Sequence, residues 1–217
     1  MSLLKMDPEF WLQKWQQKDI AFHQKAANSL LVSCFNQLDL AGGSRVFLPL
    51  CGKTPDIGWL LANGYRVAGA ELSEIAVTEL FQELGIAPNI SAAGKLKHYA
   101  ADKIDIFVGN IFDLTATELG TIDAIYDRAA LVALPDSMRT QYAKHLLRIT
   151  DGAPQLAICF EYEQALVAGP PFSIDRKEMN RLYADIYQLQ CVESIDVAGG
   201  LKRKCPATEH AWLLAKR

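Results

Sequence analysis

The chain has 217 residues and a mass of 24.0 kDa; half of its residues are hydrophobic and 22% are charged, which excludes a disordered chain and suits one core. The net charge of −3 excludes a general attraction for nucleic acid or anionic membranes, and no apolar stretch approaches the about 20 residues of a membrane span. Five widely spaced cysteines without a Cys-x-x-Cys pair predict reduced thiols in a cytoplasm, not disulfides or a zinc knuckle.

The first predicted element is a helix that begins at Pro8. Asp7 can cap this helix, and Glu9 suits the positive end of its dipole. Trp11 and Trp15 lie four residues apart and therefore share one face. A loop-prone stretch follows, so we expect this N-terminal helix to act as a lid that orders when a ligand binds.

A second helix is predicted over residues 24–38, and strands and helices then alternate. The predicted strands are short, nearly continuous apolar runs, as expected of parallel strands that are covered on both faces. In chain order they occupy residues 45–50, 65–70, 104–108, 122–126 and 155–160. The intervening helices begin at Thr54, at Ser73 and after Pro135. This alternation predicts an α/β fold with a doubly wound, mostly parallel, Rossmann-like sheet.

The end of the chain departs from this alternation. A helix begins at Asp175, and two strands follow, residues 191–197 and 209–215, joined by the loop at Gly199 and Gly200. Two consecutive strands without a helix between them predict an antiparallel strand at the C-terminal end of the sheet.

The sequence contains no internal repeat, low-complexity tract or interdomain linker. We therefore expect residues 1–217 to form one domain. Met6 offers a second start, so residues 1–5 are left outside the predicted fold.

Ligands of an open α/β sheet bind beyond the carboxyl ends of its strands, near the point where strand order reverses. This rule selects residues 48–54, 71–73, 110–113 and 127–130. The first segment contains Gly52-Lys53-Thr54, yet it lacks the other glycines of a P-loop or of the G-x-G-x-x-G fingerprint. What is left is one glycine before a helix start, which suits either a plain turn or an anion such as the carboxylate of S-adenosylmethionine.

Glu71 ends the second strand, where such folds place the carboxylate that accepts both ribose hydroxyls of NAD, FAD or S-adenosylmethionine. The alternative interpretation is an acid that helps the next helix to begin. An adenine ring is expected after the third strand, with Ile111 or Phe112 on its face and Asn110 or Asp113 at its edge. For Phe112 we favour simple core packing.

Asp127 and Arg128 end the fourth strand, where group transfer is expected. Such a pair is often only a salt bridge, but beside a cofactor we favour a function. Asp127 is a candidate catalytic base, and its alternative role is to hold Arg128 or to pack the strand end. The four histidines lack metal-ligand spacing, so no metal site is predicted, and the absence of a G-x-S-x-G motif argues against an α/β-hydrolase.

At these segments the sequence resembles the thiopurine S-methyltransferase family. The matching motifs stand in the family's order: Trp11-x-x-x-Trp15, Phe22-His23-Gln24, Pro49-Leu50-Cys51-Gly52-Lys53, Gly69-Ala70-Glu71-Leu72-Ser73-Glu74, Ile111-Phe112-Asp113-Leu114, Asp127-Arg128-Ala129-Ala130-Leu131-Val132-Ala133 and Gly169-Pro170-Pro171-Phe172. The resemblance implies methyl transfer from S-adenosylmethionine to the sulfur of aromatic or heterocyclic thiols such as thiopurines. For bacterial-type members it extends to selenium or tellurium species.

The resemblance also implies roles for individual residues. The family's cofactor-binding positions correspond to Trp11, Trp15, Leu50, Glu71, Asn110, Ile111 and Arg128, and its substrate positions to Phe22 and Arg128. The late loop, residues 199–207, does not align cleanly with a basic substrate-side position of the animal members, so this role is left open between Lys202, Arg203 and neither of them.

Two alternatives belong to other classes. An NAD-dependent reductase would share the sheet and Glu71 but needs the missing glycine fingerprint, and a non-catalytic S-adenosylmethionine-binding module is physically possible. We expect a monomer that acts on a small-molecule thiol, without a nucleic-acid or membrane partner.

Overall fold

The computed structural model describes residues 8–20, 24 and 26–217. The α-helices of this part of the chain are α1 Pro8–Gln16, α2 Ser29–Cys34, α3 Pro55–Ala62, α4 Glu74–Leu84, α5 Ala116–Leu119, α6 Asp136–Ile149 and α7 Arg176–Tyr183. The strands are β1 Arg45–Pro49, β2 Arg66–Glu71, β3 Asn89–Ala93, β4 Leu96–Ala101, β5 Ile104–Val108, β6 Ala124–Arg128, β7 Gln155–Tyr162, β8 Tyr187–Asp196 and β9 Ala207–Lys216. No helix within these residues has the length and apolar composition to cross a membrane.

The described strands form one nine-stranded sheet in the order β3-β4-β5-β2-β1-β6-β7-β9-β8. The central strands β5, β2, β1, β6 and β7 are parallel, and antiparallel strands flank them at both edges. From β1 the chain continues to β2 on one side and later to β6 on the other, so strand order reverses between β1 and β6. The predicted α/β class and the antiparallel C-terminal strand are confirmed.

Both faces of the central sheet are buried, as the apolar strand runs predict. Neighbouring residues of β1 show this, because Val46 and Phe47 belong to different core clusters. Leu60 of α3 packs in the cluster of Val46, and Tyr142 of α6 packs in the cluster of Phe47. Helices on both faces thus leave the carboxyl edge of the sheet as the open side.

The helix caps predicted at Thr54 and Ser73 are present, whereas the predicted cap Asp7 lies outside the described residues. The Thr54 side chain accepts a hydrogen bond from the backbone N–H of Asp56, and the Ser73 side chain accepts one from Ala76. Gly85 ends α4 in a left-handed conformation with φ +66°. These caps fix where α3 and α4 begin, and both beginnings lie beside the carboxyl ends of β1 and β2.

The structure corrects the prediction at several elements. The helix predicted over residues 24–38 begins only at Ser29, because Asn28 caps it by accepting hydrogen bonds from Leu30 and Leu31. The hairpin of β3 and β4 was not predicted at all, so the strand predicted third in the chain is the fifth. Strand β6 also reaches Arg128, which places this residue within the sheet.

Candidate active site

A cavity of about 720 Å³ opens at the carboxyl ends of the parallel strands. It is bounded by α1 and by the loops that follow β1, β2, β5 and β6. All seven predicted cofactor-binding residues line it: Trp11, Trp15, Leu50, Glu71, Asn110, Ile111 and Arg128. The predicted substrate residue Phe22 lies outside the described residues. Positions spread over more than a hundred residues of sequence therefore meet at the switch point of the sheet.

The backbone at this cavity is unusual. Leu50 has φ +47° and Ala129 has φ +64°, backbone conformations that residues other than glycine seldom adopt. Both residues directly follow a strand, β1 or β6, and both line the cavity. Strained backbone that surrounding structure holds in place is commonly found at functional sites.

Glu71 is anchored by the backbone at the end of β2. Its carboxylate accepts hydrogen bonds from the N–H groups of Gly52 at 2.7 Å and Ser73 at 2.8 Å. Burial raises the pKa of Glu71, while the backbone hydrogen bonds from Ser73, Gly52 and Leu72 lower it. Each carboxylate oxygen keeps a second lone pair, so the fixed group is suited to accept hydroxyl donors from a ligand.

Helix α1 covers the first loop through one tryptophan. The Trp15 side chain is buried, and a methyl group on Gly52 would lie 3.1 Å from its Cζ2. Gly52 also has φ +53°, so the close approach and the backbone conformation both require glycine here. The P-loop interpretation fails in addition because Lys53 points to α4, where it pairs with Glu79 and Glu83.

Arg128 is held by the carboxylate of Asp56, which lies in the first turn of α3. Its Nη1 lies 3.2 Å from Oδ2 of Asp56 and 3.3 Å from Oγ1 of Thr54. Asp56 is fully buried and also accepts hydrogen bonds from the Tyr126 hydroxyl and the Asn28 backbone. Both of these contacts of Arg128 use Nη1. Its Nε and Nη2 take no part in them and are suited to bind an anion.

Asp127, the weak catalytic candidate, does not line the cavity and does not pair with Arg128. Its carboxylate is 1% exposed and accepts hydrogen bonds from the Tyr142 hydroxyl at 2.7 Å and the Leu131 N–H at 3.1 Å. Burial raises the pKa of Asp127 to about 6, against the lowering by these hydrogen bonds. Of its predicted roles, packing at the strand end fits this placement, and holding Arg128 does not.

The adenine-side candidates divide in the same way. Asn110, Ile111 and Phe112 line the cavity, and Asn110 also caps the turn by accepting a hydrogen bond from the Phe112 N–H at 3.1 Å. Asp113 lies outside and pairs with Lys95 at 2.9 Å. Of the two side chains predicted at the edge of an adenine, Asn110 lines the cavity and Asp113 does not.

The two basic candidates of the late loop lie at different places on the molecule. Lys202 lines the cavity, and its Nζ donates a hydrogen bond to the Pro170 carbonyl at 2.7 Å. Arg203 lines a separate, more open depression of about 940 Å³ near Glu161 and His210. Lys202 therefore joins two loops, residues 169–171 and 199–206, across one wall of the cavity.

Sequence reasoning missed a further carboxylate of this cavity. Glu209 of β9 lines the cavity, is 8% exposed, and accepts a hydrogen bond from Asn28 Nδ2 at 3.4 Å. Its only sequence signal was an acid within a strand of otherwise mostly apolar residues. Among the described residues, no three His, Cys, Asp or Glu side chains are grouped as metal ligands.

The chain is similar to known proteins of one family over nearly its whole length. The family model described as Thiopurine S-methyltransferase (TPMT) matches residues 6–216. A thiopurine S-methyltransferase from Xanthobacter autotrophicus is 54% identical over 212 residues, which covers 97% of this chain and 100% of that protein. One from Teredinibacter turnerae is 50% identical, with 97% and 98% covered.

Solved structures share the fold at low identity. A SAM-dependent methyltransferase from Anabaena variabilis has a TM-score of 0.65 at 13% identity and covers 100% of this chain and 99% of its own. The 1,6-didemethyltoxoflavin-N1-methyltransferase of Burkholderia thailandensis, solved with S-adenosylhomocysteine, has a TM-score of 0.65 at 14% identity, with 100% and 94% covered. Neither the reductase nor the non-catalytic alternative is favoured. The chain belongs to the thiopurine S-methyltransferase family, and it is an S-adenosylmethionine-dependent methyltransferase.

Proposed function

We propose that this chain transfers the methyl group of S-adenosylmethionine to the sulfur of aromatic or heterocyclic thiols, thiopurines among them. The observation that supports this most is that the seven cofactor-binding positions implied by the family line one cavity. The relatives named above are thiopurine S-methyltransferases.

The described residues fit a sulfonium donor of this kind. The fixed carboxylate of Glu71 suits the ribose hydroxyls, and Asn110 with Ile111 suits the adenosine. The indole rings of Trp11 and Trp15 provide faces that attract a cation such as a sulfonium. When bound, the donor supplies an activated methyl group, so the protein's task is to bind and align.

On the acceptor side, positioning can supply much of the rate, since collinear alignment removes most of the entropic cost of the encounter. We propose that Arg128, with its planar cation fixed by Asp56, stabilises a thiolate or orients the donor. Phe22, outside the described residues, is proposed to cover the acceptor. Lys202 is proposed as the basic group of this side.

The experiment is a methyl-transfer screen with labelled S-adenosylmethionine across thiopurines, thiophenols, selenols, selenite and tellurite. We expect turnover of thiols, and calorimetric binding of S-adenosylhomocysteine but not of NADH. Binding of NADH alone would contradict the donor assignment. Donor binding without turnover of any acceptor would contradict the proposed reaction.

We further propose that residues 1–217 act as one monomeric domain in the cytoplasm, with a small-molecule thiol as the partner and no nucleic acid. The single sheet and the five free thiols support this. Light scattering and cell fractionation test the two points separately.

A further inference from the structure

Glu209 occupies a distinctive place in the sheet. In β9 it pairs with Phe160 of β7, while Ile158 of β7 pairs with Arg128 at the end of β6. Glu209 thus lies two strands away from Arg128 and lines the same cavity, which Phe160 and Lys202 also line. In the sheet, β7 and β9 lie on one side of β1, whereas β2 and β5, which lead to Glu71 and Asn110, lie on the other side.

Among the described residues, three carboxylates line the cavity, and two of them are engaged. Glu71 accepts two backbone N–H groups, and Asp19 forms an ion pair with Lys14 at the exposed rim. Glu209 has one long hydrogen bond, from Asn28 at 3.4 Å, although it is 8% exposed. It is therefore the described cavity carboxylate with the most unused accepting capacity.

The surroundings of Glu209 balance its charge. Burial raises the pKa of Glu209, the Arg128 cation and the Asn28 hydrogen bond lower it, and the Asp56 carboxylate raises it. Asp56 is already paired with Arg128, so Glu209 is the second anion beside one cation. The nearby Tyr126 hydroxyl and Cys159 thiol have pKa values well above their ordinary range, chiefly through burial, and stay neutral. A carboxylate in such a setting is suited to take up a proton.

We propose that the Glu209 carboxylate accepts the proton of the acceptor thiol before methyl transfer, an inference that rests on the proposed function. The S–H bond breaks and an O–H bond forms on Glu209. The thiolate, beside the Arg128 cation, then forms the new S–CH₃ bond. The old bond between the methyl carbon and the donor sulfur breaks, and its electron pair stays on the departing thioether, so charge and atoms balance.

The first test compares Glu209→Gln with wild type across substituted thiophenols of graded acidity. For weakly acidic thiols we expect kcat/KM to fall by about 10²-fold, the lower range of general-base catalysis. Thiols that are already ionised at the assay pH should lose little. An equal loss across the whole series would overturn the proposal.

The matched control is Glu161→Gln, which changes a β7 carboxylate that does not line the cavity. It should retain wild-type rates with every thiol. A loss that matched that of Glu209→Gln would show a general effect of charge and would overturn the proposal.

A second readout needs no turnover. A weakly acidic thiophenol is bound together with S-adenosylhomocysteine, and the thiolate absorbance band is measured. We expect the band in wild type and its loss in Glu209→Gln. A band that the substitution leaves unchanged, whether present or absent in both proteins, would overturn the proposal.

A third variant, Glu209→Asp, guards against a folding defect. Thermal melting and S-adenosylhomocysteine affinity should stay near wild type in Glu209→Asp, with part of the thiolate band retained. Loss of the band in a folded Asp variant would count against the proposal. A wild type that methylates no thiol would overturn the proposed function and this inference with it, whereas an active wild type with equal rates in Glu209→Gln would overturn the inference alone.

Discussion

Glu71 shows how one side chain joins two loops and a ligand. Glu71→Gln replaces one accepting oxygen by an N–H donor that would face the N–H of Gly52 or Ser73. Loss of a charged acceptor costs about 1–3 kcal/mol, so S-adenosylhomocysteine should bind roughly 5- to 150-fold more weakly by calorimetry. Glu74→Gln, outside the cavity, is the control. Unchanged affinity would remove Glu71 from the ribose site.

The guanidinium of Arg128 contributes a planar set of N–H donors as well as a positive charge. Arg128→Lys keeps the charge but loses the fork, so kcat/KM should fall by about tenfold or more while thermal melting changes little. Acidic thiols should be affected least if Arg128 stabilises the thiolate. A uniform loss would instead indicate that Arg128 positions the donor, and wild-type rates would exclude it from the site.

Because burial raises the pKa of Asp127, we expect the unfolding free energy to depend on pH. Its folded pKa of about 6 lies above the ordinary value of 3.8, so the folded state favours the protonated acid. This contribution is present below about pH 4 and is lost as pH rises through 6. Asn does not titrate, so only wild type loses this contribution. The difference in unfolding free energy, Asp127→Asn minus wild type, should therefore rise by about 3 kcal/mol between about pH 4 and pH 7. Urea denaturation at several pH values measures it; a constant difference would contradict the prediction.

The sequence pattern predicts some residues of the candidate site and not others. The ends of apolar strands pointed to Leu50, Glu71 and Arg128, because parallel strands bring their carboxyl ends to one edge. Asp56 looked like an ordinary helix-start acid, and its contact with Arg128 depends on a residue 72 positions away. The place of Glu209 could not be predicted for the same reason, because it depends on the pairing of β9 with β7, which are distant in sequence.

Helix α1 gives a test of the proposed lid. Gly52→Ala places a methyl group 3.1 Å from Trp15, whereas Gly43→Ala has the same kind of positive φ but meets nothing within 4 Å. Both variants share the backbone strain, so only Gly52→Ala should displace α1, weaken S-adenosylhomocysteine binding and speed proteolysis near residues 8–20. Equal behaviour of the two variants would contradict a contact between α1 and the loop.

The hairpin of β3 and β4 explains where element prediction failed. Ile90 in β3 is 54% exposed, and the strand has no continuous apolar run. Its register comes from cross-strand pairing with β4, which in turn pairs with β5. A local sequence pattern does not reveal such pairing. Strands that are buried on both faces, by contrast, can be recognised by their continuous apolar runs.

Ligand binding should stabilise the whole molecule. At 100 times its Kd, S-adenosylhomocysteine adds about 2.7 kcal/mol, which for a chain of this size raises Tm by roughly 5–10 °C. Differential scanning fluorimetry measures the shift, with NADH as the comparison. A shift of equal size with NADH would argue against a methyl-donor site.

The position of β9 has a consequence for biosynthesis. Strand β8 leaves the ribosome before β9, yet in the described sheet its neighbour is β9, which lies between β8 and β7. During translation β8 therefore has no place in the sheet, and β7 keeps an unpaired edge that chaperones can recognise. Glu209 belongs to β9, so the nascent chain can assemble the loops that carry Glu71 and Asn110 first and adds Glu209 to the cavity only after β9 has been made.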